Sequence, residues 1–157
     1  MIVVTQVAAL LAVMGVGLVW GTDAFCALVQ RPALARVDDT ALTRVMGNVH
    51  RYGDRRMPVP GVVGLVGSLA TAVLAVLTSH AVAAVTAGAA LVLLVVWLVL
   101  YTRVSAPINR ALTTAVDRGE TPENARAQQA GWDRVIVLRA SLQGLALLAL
   151  GVTLVVL

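Results

Sequence analysis

Four apolar blocks, each long enough to cross a bilayer, constrain this chain more than any other feature. They cover residues 2–20, 59–79, 81–101 and 135–157. An α-helix rises about 1.5 Å per residue and the hydrocarbon core is about 30 Å thick, so about 20 apolar residues span it. The first block extends to Val29 if Asp23 is tolerated within it, and the last contains Arg139 and Gln143. With 59% hydrophobic and only 13% charged residues, little chain is left over to build a soluble domain. The expected fold is all-α: an integral membrane four-helix bundle, one transmembrane domain over residues 1–157, with an additional cytoplasmic amphipathic helix between helices one and two. Residues 1–22 carry no charge and so lack the basic segment that opens a signal peptide, which makes the first block a retained span.

The distribution of charge gives the orientation. All twelve basic residues are arginines. Arg31, Arg36, Arg44, Arg51, Arg55 and Arg56 fall between blocks one and two. Arg103, Arg110, Arg118, Arg126, Arg134 and Arg139 fall between blocks three and four or just inside the fourth. The short turn around Ser79 and His80 has none. The positive-inside rule then predicts a multi-pass cell-membrane protein with both arginine-bearing segments in the cytoplasm and both termini outside. The net charge of +4 therefore reports topology and contact with anionic lipid headgroups. No nucleic-acid-binding motif accompanies the arginines, and nucleic acid is not an expected partner.

Local signals divide the chain further. Pro32 lacks an amide donor and disfavours helix for the residue before it, so helix one is predicted to end or bend near Gln30. Asp38 and Asp39 suit the start of a new helix. Its apolar positions Leu42, Val45, Met46 and Val49 follow helical spacing, and Thr43, Gly47, His50 and Asp54 line an adjacent face. Pro58 and Pro60 restart the chain as helix two, whose Gly61, Gly64, Gly67 and Ser68 make a thin face suited to tight packing or to a cavity. Helix three is predicted to continue beyond the membrane through 102–116, with Pro107 as a kink that frees a carbonyl. A turn follows at 117–120, and Thr121-Pro122 reads as the start of helix four. Gly17 and Gly21 have GxxxG spacing, which fits packing within the bundle and also leaves room for a homo-oligomer. Trp20, Trp97, Tyr101 and Trp132 fall near the cytoplasmic helix ends, as an aromatic belt would.

Few residues are able to carry chemistry. His50 and His80 belong to opposite sides of the membrane and cannot share a metal, and no HExxH or Cys-His cluster is present, so no metal and no cofactor is expected. The single Cys26 reads as a small buried hydrophobe. His50 stands four residues before Asp54, a spacing that lets the carboxylate orient the imidazole if the segment is helical. Otherwise it is a surface histidine. Arg139 and Gln143 share one helix face, and an arginine inside a span either faces protein or snorkels to the headgroups. Asp23 is the natural carboxylate partner for such an arginine.

Three segments give the chain a family likeness. Helix one carries Phe25 and ends in Arg31-Pro32-Ala33-Leu34. Helix three continues as Thr102-Arg103-Val104-Ser105-Ala106-Pro107-Ile108-Asn109-Arg110-Ala111-Leu112. Helix four begins Trp132-Asp133-Arg134 and reaches Arg139 seven residues after the tryptophan. This pattern resembles the anthrone oxygenase-like family of small four-helix membrane proteins, and the resemblance covers most of the chain. Many members carry a histidine between that tryptophan and arginine, where this chain has Ile136-Val137-Leu138. The resemblance implies a membrane-embedded, cofactor-independent oxygenase acting on a hydrophobic, anthrone-like aromatic substrate. For that chemistry this chain offers His50 as base and Arg51 or Arg139, with Asn109, as oxyanion partners, while Asp23, Asp54, Trp132 and Gln143 would contact the substrate. The alternative is a non-catalytic membrane module that binds lipid or assembles with a partner membrane protein.

Overall fold

The computed structural model describes residues 1–157 and contains helices only. We number five: α1 (Ile2–Leu34), α2 (Asp39–Arg56), α3 (Pro58–Leu77), α4 (Ala81–Arg118) and α5 (Ala125–Val156). All but α2 are long and apolar enough to cross a membrane. In chain order α1, α3, α4 and α5 run up, down, up and down, and each packs on the next, with α5 closing on α1. At 33 and 38 residues, α1 and α4 rise about 50 and 57 Å, so both outreach the bundle at its arginine-bearing end.

The inward stripe of α1 shows how the sequence sets this ring. Thr5, Ala9, Ala12, Val16, Val19 and Asp23 are all buried, at alternating spacings of four and three that keep them on one face. Ala12 and Val16 meet Ala90, Leu94, Ala146 and Leu150 in the centre of the bundle. With side chains this small on the inward stripe, the helix backbones approach closely. Gly15 permits it: a Cβ there would lie 2.5 Å from the Pro60 carbonyl oxygen and 2.6 Å from the Gly64 nitrogen. The glycine pair read as a packing motif is used less. Gly17 only brushes Leu147, and nothing lies within 4 Å of a Cβ built on Gly21.

Pro32 does not end α1. The helix widens into one π-turn, Cys26–Gln30, and resumes through Arg31–Leu34. Nor does Pro107 break α4, which also passes through a π-turn, Tyr101–Ser105, before continuing to Arg118. The chain then stops at Gly119, whose φ of 69° ends the helix in a left-handed cap. There the Gly119 and Glu120 amides donate to the carbonyls of Val116 and Ala115. Helix α5 begins three residues later than the proline-based expectation, at Ala125, after a turn at 123–124 across which the Ala125 amide donates to the Pro122 carbonyl.

Helix α2 lies on the extension of α4. The Asp38 side chain caps it, accepting from the Ala41 amide at 2.7 Å. Its buried residues are Leu42, Thr43, Met46, Gly47 and His50, while Val45 and Val49 stay exposed. The buried face is thus rotated from the one that apolar spacing selects. Gly47 explains the rotation: a Cβ there would sit 2.6 Å from the Leu112 carbonyl oxygen and also collide with Val116. Only glycine lets the two backbones meet at that point. Arg126 ties α5 to this arm, donating to the carbonyls of Leu34 and Val37 and to Asp39.

Candidate functional site

Two lone charges in apolar runs must find partners when they are buried. Asp23 and Arg139 find each other. They are 5% and 4% exposed, and Arg139 Nη2 donates to Asp23 Oδ1 at 2.9 Å. Gln143 Nε2 donates to Asp23 Oδ2 at 2.7 Å, and Arg139 Nη1 donates to Ser105 Oγ at 2.7 Å. The guanidinium also lies over the rings of Tyr101 and Trp132, 5.4 and 5.6 Å from their centroids, within cation–π range. Arg139 therefore faces protein rather than snorkelling outward.

Next to this network lies a cavity of about 230 Å³ to which all five helices contribute. Its walls are mostly apolar, and its lining includes the exposed side chains of Val49 and Val62. His50 forms part of the lining and is 4% exposed. Its ring centroid stands 5.7 Å from that of Trp132, tilted by 49°, and its Nε2 is buried with no hydrogen-bond partner. Burial holds the imidazole down at about 4, against an ordinary value of 6.5. The Asp54 carboxylate works against that shift and the Arg139 guanidinium adds to it. His50 is thus neutral at physiological pH, because a charged ring there would lack both water and a paired carboxylate.

Asp54 does not hydrogen-bond to His50. Its Oδ1 accepts from Tyr101 Oη at 2.8 Å and from Asn109 Nδ2 at 2.9 Å, so it acts on the imidazole only through its charge. This bond also settles how Asn109 is turned. The amide donates to the carboxylate, and the atom left buried without a partner is the carbonyl oxygen, Oδ1. An acceptor does not stabilise a developing oxyanion, so the oxyanion role expected of Asn109 does not fit. Trp132 Nε1 and Arg139 Nε, by contrast, are buried donors without partners.

Asp23, Asp54, Asn109, Trp132 and Arg139 line the same cavity as His50. Arg51 does not. It turns outward and pairs with Asp117 on the extension of α4, since the residue after His50 on a helix points about 100° away. Gln143 sits behind the Asp23 carboxylate, outside the lining. Of the four residues expected to form an aromatic belt, Trp97 and Trp132 are instead buried and line the cavity together with Tyr101, while Trp20 stays exposed. Tyr101 and Ser105 were not evident as site residues; the available signal was their spacing of four from Trp97 and from each other. His80 lies at the opposite end of the bundle, beside Thr78.

No group of three or more His, Cys, Asp or Glu side chains comes together at metal-binding distances. The Cys26 thiol donates to Gln30 Oε1 at 2.8 Å. Comparison with known proteins gave no matching family model, no matching curated protein and no matching solved structure.

Proposed function

We propose that this chain is a membrane-embedded oxygenase that binds a flat, apolar, anthrone-like aromatic molecule and oxidises it with dioxygen, without a resident cofactor. The observation that carries this reading is the buried, neutral, unpartnered imidazole of His50 beside Arg139 in an apolar cavity. An apolar cavity of about 150 Å³ holds benzene, so one of about 230 Å³ open toward its rim suits a larger fused-ring ligand. The bundle sits in the cell membrane with its arginine-bearing segments cytoplasmic and both termini outside. Helix α2 serves as an amphipathic cover over the cytoplasmic mouth. Apolar substrate enters from the bilayer past Val49 and Val62.

The chemistry follows from the residues. An aryl methylene conjugated to a ketone is acidic because its anion is delocalised onto oxygen. His50, uncharged at neutral pH, takes the proton, and the anion formed beside it stabilises the resulting imidazolium. Arg139 and the Trp132 indole N–H supply the positive field for the oxyanion. The electron-rich anion adds dioxygen, the hydroperoxide anion recovers the proton, and loss of water leaves a ketone. One methylene and one dioxygen become one carbonyl and one water, so atoms and electrons balance.

The test uses the full chain in lipid nanodiscs with anthrone, following oxygen uptake and anthraquinone absorbance. His50→Ala is expected to remain folded and to lose about 100-fold or more in turnover. Unchanged turnover in that variant, or none in the parent protein, overturns the assignment. A second reading, a non-catalytic module that self-associates or docks on a partner membrane protein, is favoured by the open face at Gly21. Its sign would be an oligomer in nanodiscs that Gly21→Leu dissociates, in a protein that shows no anthrone turnover.

A further inference from the structure

The two π-turns have a common construction. Each covers five residues, and each ends two residues before a proline: Cys26–Gln30 before Pro32, and Tyr101–Ser105 before Pro107. In each the residue just before the proline makes the wide bond. The Arg31 amide donates to the Cys26 carbonyl, and the Ala106 amide donates to the Tyr101 carbonyl. A proline ring collides with the carbonyl four residues back and offers that carbonyl no hydrogen. Winding one turn more widely removes the collision without breaking the helix.

A π-turn acts as a one-residue insertion, and the insertion has a rotational consequence. Trp97 and Asn109 are twelve residues apart. At about 100° per residue an uninterrupted α-helix would place them about 120° apart, on different faces. One extra residue in the turn takes back about 100°, leaving them about 20° apart. Both in fact line the cavity, with Tyr101 between them. The same arithmetic applies to α1. Cys26 and Leu34, eight residues apart and both buried, would differ by about 80° in a regular helix and differ by about 20° across the π-turn.

We infer that Pro107 is a positioning residue for this site: by holding α4 in a π-turn it rotates the outer segment of the helix so that Asn109 faces the same cavity as Trp97 and Tyr101. Pro107 touches none of the reacting groups. It acts through the phase of the helix. The Asp54 carboxylate reads that phase directly, because one oxygen accepts from Tyr101 on the near side of the π-turn and from Asn109 on the far side. Ser105, the last residue of the turn, receives the Arg139 guanidinium, so the ion pair is set by the same device.

The test compares Pro107→Ala with the same substitution combined with deletion of Val104. The alanine restores a hydrogen-bond donor and lets the π-turn relax to α, which turns the outer segment by about 100°. Deleting one residue then brings Trp97 and Asn109 back to eleven residues apart and so to one face. Two readouts are used on the full chain in nanodiscs. The first is ligand-free: a short bifunctional thiol crosslinker joining Tyr101→Cys to Asp54→Cys in a Cys26→Ser background. We expect crosslinking with proline at 107, at least a tenfold loss with alanine, and recovery with the deletion. The second is the dissociation constant for anthrone by tryptophan quenching. It rests on the proposed ligand and should weaken about tenfold and recover in step. Crosslinking and affinity unchanged by Pro107→Ala overturn the inference, as does failure of the deletion to restore crosslinking in a protein that melts normally. If the parent protein binds no anthrone but the crosslinks follow the expected order, the ligand assignment fails and the positioning role stands.

Discussion

The two ends of the bundle solve the problem of polar groups in an apolar setting in opposite ways. At the end away from the arginines, the buried polar residues are hydroxyls that turn back on their own helix. Ser68 donates to the Gly64 carbonyl, Thr71 to that of Gly67 and Thr153 to that of Ala149. Beside them the packing is close, with Ala12 3.0 Å from a Cβ built on Gly67. At the arginine-bearing end the polar groups are an ion pair, a carboxylate, an imidazole and two indoles, and several of their atoms have no partner. Hydroxyls satisfied within one helix cost little and specify nothing. Uncommitted buried atoms are costly, and under the proposed function a bound ligand would offset that cost.

The largest effect should come from breaking the ion pair that anchors the polar end. Arg139→Ala leaves the Asp23 carboxylate buried with only Gln143 as a donor. A loss of about 3–5 kcal/mol is expected, visible as a lower melting temperature in detergent. The paired change Asp23→Asn with Arg139→Gln removes both charges and should recover most of that loss. If Arg139→Ala melts with the parent protein, the polar end is wetter than its burial implies and the contrast between the ends collapses.

His50 gives the polar end a pH signature. Its folded pKa is depressed to about 4 from 6.5, so between those values the unfolded chain binds a proton that the folded chain does not. Stability therefore rises with pH through that window: the contribution is complete above about 6.5 and is lost as pH falls toward 4. The total is on the order of 3 kcal/mol. His50→Asn should flatten the slope of unfolding free energy between pH 4 and 6.5. A slope that survives the substitution would place its origin in another group.

How much of this was legible in the sequence depends on which signal carried it. The four long apolar helices were plain because unbroken apolar blocks of that length are readable directly, and the Asp23–Arg139 pair followed from two charges isolated in apolar runs. The buried face of α2 was misread because hydrophobic spacing scores Val45 and Val49 highly and Gly47 as nothing, whereas the missing side chain makes the contact. Pro32 and Pro107 read as ends or kinks, since sequence shows that a bond is lost but not that a wider turn absorbs the loss. The aromatic residues were assigned to a belt because depth along the helix is readable and rotation about its axis is less so. A single π-turn is enough to change that rotation.

A middle-sized effect should separate packing from site. Gly15→Ala drives a methyl against the backbone of Pro60 and Gly64, so α1 and α3 must part, at a cost of about 1–3 kcal/mol. Gly21→Ala, with open space around it, should be neutral within about 0.5 kcal/mol. Equal melting temperatures for the two variants would mean that the α1–α3 seam is looser than its geometry.

The smallest effect belongs to the far end. Thr86 and Thr153 approach to 2.7 Å between Oγ1 atoms, while each also reaches a carbonyl of its own helix, Val82 and Ala149. Thr86 also reaches the Ala83 carbonyl at 3.2 Å, so two hydroxyl hydrogens face four contacts and are shared among them. Thr153→Val then removes the bond between helices and leaves Thr86 to donate to its own backbone, with no polar atom stranded. Side-chain hydrogen bonds between membrane helices average about 0.6 kcal/mol, and the loss should be no larger. A double-mutant cycle with Thr86→Val measures the coupling directly. A coupling above about 2 kcal/mol would show that the far end also depends on a specific polar contact. The division of the bundle into a self-satisfied half and a half with uncommitted polar atoms would then have to be redrawn.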